Sequence, residues 1–150
     1  MDNQKFPTND VIALELRAGN RYAYQFILNQ FSPALCFFAA RLTGEEGVAS
    51  NIVEQVVLKL WDERKRFYSL AAIRDFLYAS AREGCFLFAK KLQPTLKDDL
   101  TWLAIWQETE SYVQREIIRA EVLRQVSNNI DHLPDLLVSN THSGLRPHLF

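Results

Sequence analysis

Residues 49–91 read ASNIVEQVVLKLWDERKRFYSLAAIRDFLYASAREGCFLFAKK, and their periodicity decides the fold. Ile52, Val53, Val56, Val57, Leu60 and Trp61 recur at helical spacing, as do Ile73, Phe76, Leu77, Ala81, Cys85 and Phe88. That spacing predicts two amphipathic helices, each with one apolar face. Between them lies a short basic and aromatic connection, Arg64-Lys65-Arg66-Phe67-Tyr68-Ser69. Asn51, Glu54, Gln55 and Asp62 edge the first helix with polar groups, while Arg74, Arg82, Lys90 and Lys91 put positive charge along the second. One helix suited to docking on protein is therefore followed by a loop and helix suited to nucleic acid.

The remainder of the chain continues in helical patterns. A frayed arm over residues 1–8 leads to Thr8 or Asn9 as a cap, then to Val11, Ile12, Leu14 and Leu16 on one short helix. Gly19 is expected to end that helix and Asn20 to cap the next, which presents Tyr24, Ile27, Leu28 and Phe31 inward. Ser32-Pro33 reads as a new start or a kinked continuation, with Leu35, Cys36, Phe38, Ala39 and Leu42 inward. A turn at 44–47 precedes a helix over about 48–66, Ser69 caps a helix over about 70–92, and Pro94 stops it. Asp98 and Asp99 suit a helix N-terminus, and Trp102, Leu103, Ile105 and Trp106 form a compact apolar group. Those tryptophans are expected to pack on the first unit or to self-associate. A long helix follows over about 108–130, broken at Leu133-Pro134, and residues 139–150 read as a poorly ordered tail. Sustained two-residue alternation is absent, so the expected fold class is all-α. The expected division is a helical domain over 1–93 and a linker, long helix and remnant over 94–150.

Composition narrows the functional classes. Hydrophobic residues make up 48% and charged residues 23% of 150 residues, and 10 Phe, 5 Tyr and 3 Trp supply bulk for a core. The net charge of -1 hides an asymmetry: residues 59–91 hold eight basic against four acidic side chains. Local charge steers a protein toward phosphates more than the total does. Cys36 and Cys85 both fall within apolar helical patterns, which suits small buried hydrophobes in a reducing compartment. No segment has the length of a membrane span or the form of a signal peptide, and the expected location is cytoplasmic. His132, His142 and His148 lack the spacing and companions of a metal site. Neither a Gly-rich phosphate loop nor a nucleophile elbow is present, so neither an enzyme nor a cofactor is expected.

A resemblance sharpens these readings. Residues 49–61, ASNIVEQVVLKLW, resemble the polymerase-binding segment of extracytoplasmic-function sigma factors. Residues 76–85, FLYASAREGC, resemble the promoter-melting helix that follows it. Weaker similarity reaches upstream through Phe38-Ala39 and Gly19-Asn20-Arg21 to about Leu16. The resemblance covers the first 91 residues well and the rest poorly.

The resemblance implies a sigma-like helical bundle. Asn51, Glu54, Gln55, Leu58 and Trp61 would meet the clamp helices of the largest subunit of RNA polymerase core. Arg64, Lys65, Arg66, Phe67 and Tyr68 would capture an extruded base of the minus-ten promoter DNA. Bases stack on aromatic faces while basic side chains hold phosphates, each stacked base contributing ~1–3 kcal/mol. Arg74, Tyr78, Arg82, Lys90 and Lys91 would track the DNA backbone, the first three sharing a face through steps of four. An anti-sigma factor is a further implied partner.

This sequence departs from the family at several places. The family has Asp where Asn51 stands, Gln-Glu where Glu54-Gln55 stands, and Asn followed by Arg or Lys where Glu83-Gly84 stands. Losing the carboxylate weakens pairing with a basic clamp, Glu83 repels phosphates, and Gly84 loosens its helix by ~1 kcal/mol. Asp131-His132-Leu133-Pro134-Asp135 is similar to the step that ends the opening helix of the family's promoter-binding domain. Only 16 residues follow Pro134, so the helix-turn-helix is expected to be missing or truncated. Two readings result: a sigma-like initiation factor, or a protein-interaction module of the same ancestry that acts as a decoy or regulator without productive DNA binding.

Overall fold

The computed structural model describes residues 9–92, 104 and 106–131. Among the described residues the main α-helices are α1 (Asn9–Arg17), α2 (Arg21–Thr43), α3 (Glu46–Asp62), α4 (Leu70–Lys91) and α5 (Glu110–Asp131). A single 3-10 turn, Arg64–Arg66, joins α3 to α4. The described residues contain no strand, and no helix among them is long and apolar enough to cross a membrane. The all-α class read from periodicity is the observed one.

Local chemistry sets the helix boundaries. Gly19 closes the first turn at φ 86°, in the left-handed region that a side chain disfavours. Asn20 then caps α2, its Oδ1 accepting from the N–H groups of Tyr22 at 2.8 Å and Ala23 at 3.3 Å. Pro33 lies inside α2, so Ser32-Pro33 is a continuation and not a new start. At the far end Gly44 takes φ 78° and donates its N–H to the Ala40 carbonyl. Ser69 caps α4, its Oγ accepting from the Ala72 N–H at 3.1 Å.

Helix α2 is the hub and packs against α1, α3, α4 and α5. Phe31, Leu35 and Phe38 of α2 meet Val53, Val56 and Leu60 of α3 and Ile73, Leu77 and Cys85 of α4 in one buried cluster. Ile12 and Leu16 of α1 close one end. Interiors pack at crystal-like density, so such a cluster fixes the helix positions closely. Gly84 belongs to this packing: a Cβ there would lie 2.8 Å from Ile52 Cγ2. The residue read as loosening α4 is thus what lets α4 approach α3.

The long helix also joins this core. Val113 and Ala120 of α5 fall in the same cluster, with Glu116 fully buried between them. The Glu116 carboxylate accepts from Arg41 at 3.1 and 3.3 Å and from Arg119 at 3.1 Å. A buried charge needs such partners, since removing it from water is costly. Trp106 meets Phe86 edge-on, centroids 5.2 Å apart, which places it on the bundle. The readings at Pro94, Asp98-Asp99, Trp102, Leu103, Ile105, the three histidines and everything beyond residue 131 lie outside the described residues.

Candidate functional site

Helix α3 turns Val53, Val56 and Leu60 into the core, and its opposite face is open. Asn51, Glu54, Gln55 and Leu58 all lie exposed along that face. Their spacing of three, four and seven residues makes a single stripe. Leu58 is 55% exposed, an apolar side chain among polar neighbours. Trp61, one turn further, is half-buried instead. Its ring packs on Tyr24 with centroids 4.8 Å apart, and the guanidinium groups of Arg64 and Arg21 lie 4.3 and 5.4 Å from its centre. The Tyr24 hydroxyl donates to the Val57 carbonyl at 2.6 Å. Burial, with Asp62 adding to it, raises the Tyr24 pKa.

The corner after α3 divides into two tiers. Phe67 and Ser69 have extended backbone, φ -108° and -151°, so successive side chains point to opposite sides. Phe67 turns in: it is 4% exposed and packs on Phe76 at 4.8 Å. Tyr68 turns out and is 69% exposed. The expectation that Phe67 stacks on bases is corrected, because its ring is sealed into the core beneath the turn. Arg64 also turns inward, its Nη1 donating to the Trp61 carbonyl at 2.9 Å while its Nε is buried without a partner. Lys65 and Arg66 remain exposed. Arg66 pairs with Glu63 and its guanidinium lies 5.3 Å from the centre of the Phe67 ring.

A residue that the sequence reading missed completes this corner. Arg17, at the end of α1, lays its guanidinium 4.0 Å from the centre of the Tyr68 ring. Its Nη1 donates to the Phe67 carbonyl at 2.8 Å. One face of Tyr68 is therefore held by a cation. Arg21 stands nearby on the Trp61 side. Basic residues bracketing the Gly19-Asn20 turn are the sequence signal for this; their partners lie 40 to 50 positions away, beyond the reach of periodicity.

The α4 face is occupied. Arg74 pairs with its neighbour Asp75 at 3.3 Å. Tyr78 is 4% exposed, and its hydroxyl donates to Glu121 Oε2 of α5 at 2.7 Å. Arg82 pairs with Glu110 of α5. Tyr78, read as a side chain that touches DNA, is covered by α5 in this arrangement. Burial and the Glu121 hydrogen bond raise the Tyr78 pKa far above the usual phenol range. Burial alone would raise the Glu121 carboxyl, but hydrogen bonds from Arg124 and Tyr78 hold it below its ordinary value. Hydrogen bonds from Gln114 and Arg82 lower Glu110 likewise. An open groove of about 680 Å³ runs between the two helices beside these pairs. Lys90 is half-buried near the end of α4 and Lys91 is exposed there.

Comparison with known protein families, characterised proteins and solved structures finds no match to this chain.

Beyond that, the arrangement offers binding chemistry. An exposed stripe with one leucine can meet a partner helix, and an exposed ring backed by a guanidinium can stack on a planar base.

Proposed function

We propose that this protein is a sigma-like initiation factor that binds RNA polymerase core through α3 and engages melted minus-ten DNA at the corner that follows. The observation that carries the reading is a juxtaposition: the uncovered Asn51–Glu54–Gln55–Leu58 stripe runs along α3, and the helix leads into exposed Lys65, Arg66 and Tyr68. A partner gripping α3 would bring its DNA to Tyr68. The open face of Tyr68 would take an unstacked base while Lys65, Arg66 and Arg17 hold neighbouring phosphates. No covalent step is involved; the energy of strand capture offsets the cost of unstacking.

Co-purification with core polymerase tests the docking half. Leu58→Arg puts a charge in place of the one leucine of the stripe without touching the core, and it is expected to abolish retention. Equal retention of this variant and the wild type removes the claim. The DNA half is tested by fluorescence anisotropy on a forked promoter fragment with polymerase present. Binding is expected to fall steeply with salt and to be lost in Tyr68→Ala plus Arg66→Ala.

A specific observation favours a second reading. Glu110 and Glu121 occupy the partners on α4 that phosphates would use. A protein locked in that state would keep polymerase docking and lack productive DNA binding, acting as a decoy or regulator. Retention on polymerase without any anisotropy signal would select it.

A further inference from the structure

Helix α5 is attached to the bundle in an unusual way. Among its described side chains, the buried ones are Val113, Glu116 and Ala120, two apolar residues and a charge. Ile117 packs partly buried against the core, while Ile118 is 62% exposed, Val122 55% and Val126 46%. The other helices bury Phe, Leu and Ile instead. Burial scales with apolar area, and a charge in the middle of the buried face makes α5 depend on polar partners as well. Much of what holds it is polar. Glu116 sits between Arg41 and Arg119, Glu110 pairs with Arg82, and Glu121 accepts from Tyr78. The partly exposed Glu110–Arg82 pair weakens in salt, and its carboxylate can be exchanged for another anion.

The groups that α5 covers have one chemistry in common. Arg82 and Tyr78 are donors on one face of α4, with Arg74 one turn away. Each receives a carboxylate from α5 or from its neighbour. A carboxylate offers oxygen acceptors and negative charge, as a phosphodiester does. We propose that α5 is a detachable cover whose Glu110 and Glu121 carboxylates hold the places of nucleic-acid phosphates on α4. Single-stranded DNA that reaches the Tyr68 corner would then displace α5 and gain Arg82 and Tyr78 as further contacts. The inference rests on the reading of the corner as a nucleic-acid site, and it adds the regulation of that site.

The experiment uses the full chain and a single-stranded oligonucleotide carrying a fluorophore, with amide hydrogen exchange read in parallel. Glu110→Gln plus Glu121→Gln keeps the shape of both side chains and removes their charge. It is expected to bind roughly fivefold or more tightly, since the charged competitors for Arg82 and Tyr78 are gone. Exchange along α5 is expected to rise in this variant without DNA, and in the wild type when DNA is added. Arg82→Ala is expected to cost little in the wild type at low occupancy of the open state and severalfold in the double variant. Glu108→Gln, an exposed carboxylate with no place on α4, is the control for net charge and is expected to change affinity less than twofold.

The alternatives separate cleanly. Wild-type binding that depends on Tyr68, together with unchanged affinity in the double variant and full α5 protection under DNA, overturns the cover and leaves the corner standing. Absence of binding by wild type and double variant alike overturns both. If the double variant proves unstable, Arg82→Lys supplies the second route. It keeps the charge but loses the two-pronged grip on Glu110, so it too is expected to raise α5 exchange, and unchanged exchange counts against the proposal.

Discussion

At the scale of residues, Phe67 and Tyr68 show how adjacent rings acquire opposite duties. Extended backbone sends one inward and one outward, so their substitutions are expected to diverge. Phe67→Ala removes a sealed ring and is expected to destabilise the fold by about 3–5 kcal/mol. Tyr68→Ala is expected to leave stability within about 1 kcal/mol while weakening single-strand binding, because its exposed ring contributes little to the core. Denaturant unfolding and anisotropy on the same two variants measure both quantities. A large stability loss at Tyr68 would contradict the two-tier corner. Sequence alone placed both rings beside three basic residues and had no means to choose between them. That choice depends on where the 3-10 turn ends, a detail of one peptide unit.

At the scale of elements, the caps were legible and the contacts were not. Gly19, Asn20 and Ser69 act through their own residue types, so their roles could be read directly. Gly84 could not. It reads as a weak point in a helix until Ile52 is seen against it. Gly84→Ala gains about 1 kcal/mol of helix propensity and is expected to lose about 1–3 kcal/mol to overpacking. The β-branched Ile52 side chain has little freedom to move aside, so the net effect is expected to be destabilising. In an Ile52→Ala background the same change is expected to become neutral or stabilising. A double-mutant cycle with no coupling would refute the close approach. The exposed stripe on α3 was legible for the complementary reason: a helix that buries one face at helical spacing must present the other.

At the scale of the whole molecule, the surprise is the long helix. Its buried face includes Glu116, and a glutamate between small residues reads as a solvent face from sequence. Val113 and Ala120, from the span 94–150 expected to form a second unit, fall in the same core cluster as the helices of 1–93. The attachment of α5 should respond to acid. Glu110 faces Arg82 and Gln114; Glu121 faces Tyr78, Arg124 and Arg74. Both carboxyls lie below their ordinary values in the fold, so their contribution is fully present above about pH 4.5 and is lost as pH falls through the lowered values. Exchange along α5 is expected to accelerate below about pH 4, ahead of α2 and α3. Glu110→Gln plus Glu121→Gln is expected to flatten that acid limb. Tyr78 acts at the other extreme, its neutral form favoured by the fold, so stability is expected to fall above about pH 10, where an unfolded tyrosine ionises. The bundle also carries its own clock. The Cys85 thiol lies between α4 and α2, 3.9 Å from the Ala39 carbonyl, and burial pushes its pKa up to about 12. At neutral pH the reactive thiolate is on the order of one part in 10⁵, so an alkylating reagent must wait for those two helices to part. Half-buried Cys36 offers a faster reference on the same chain, and the ratio of the two labelling rates would count how often the centre of the molecule breathes.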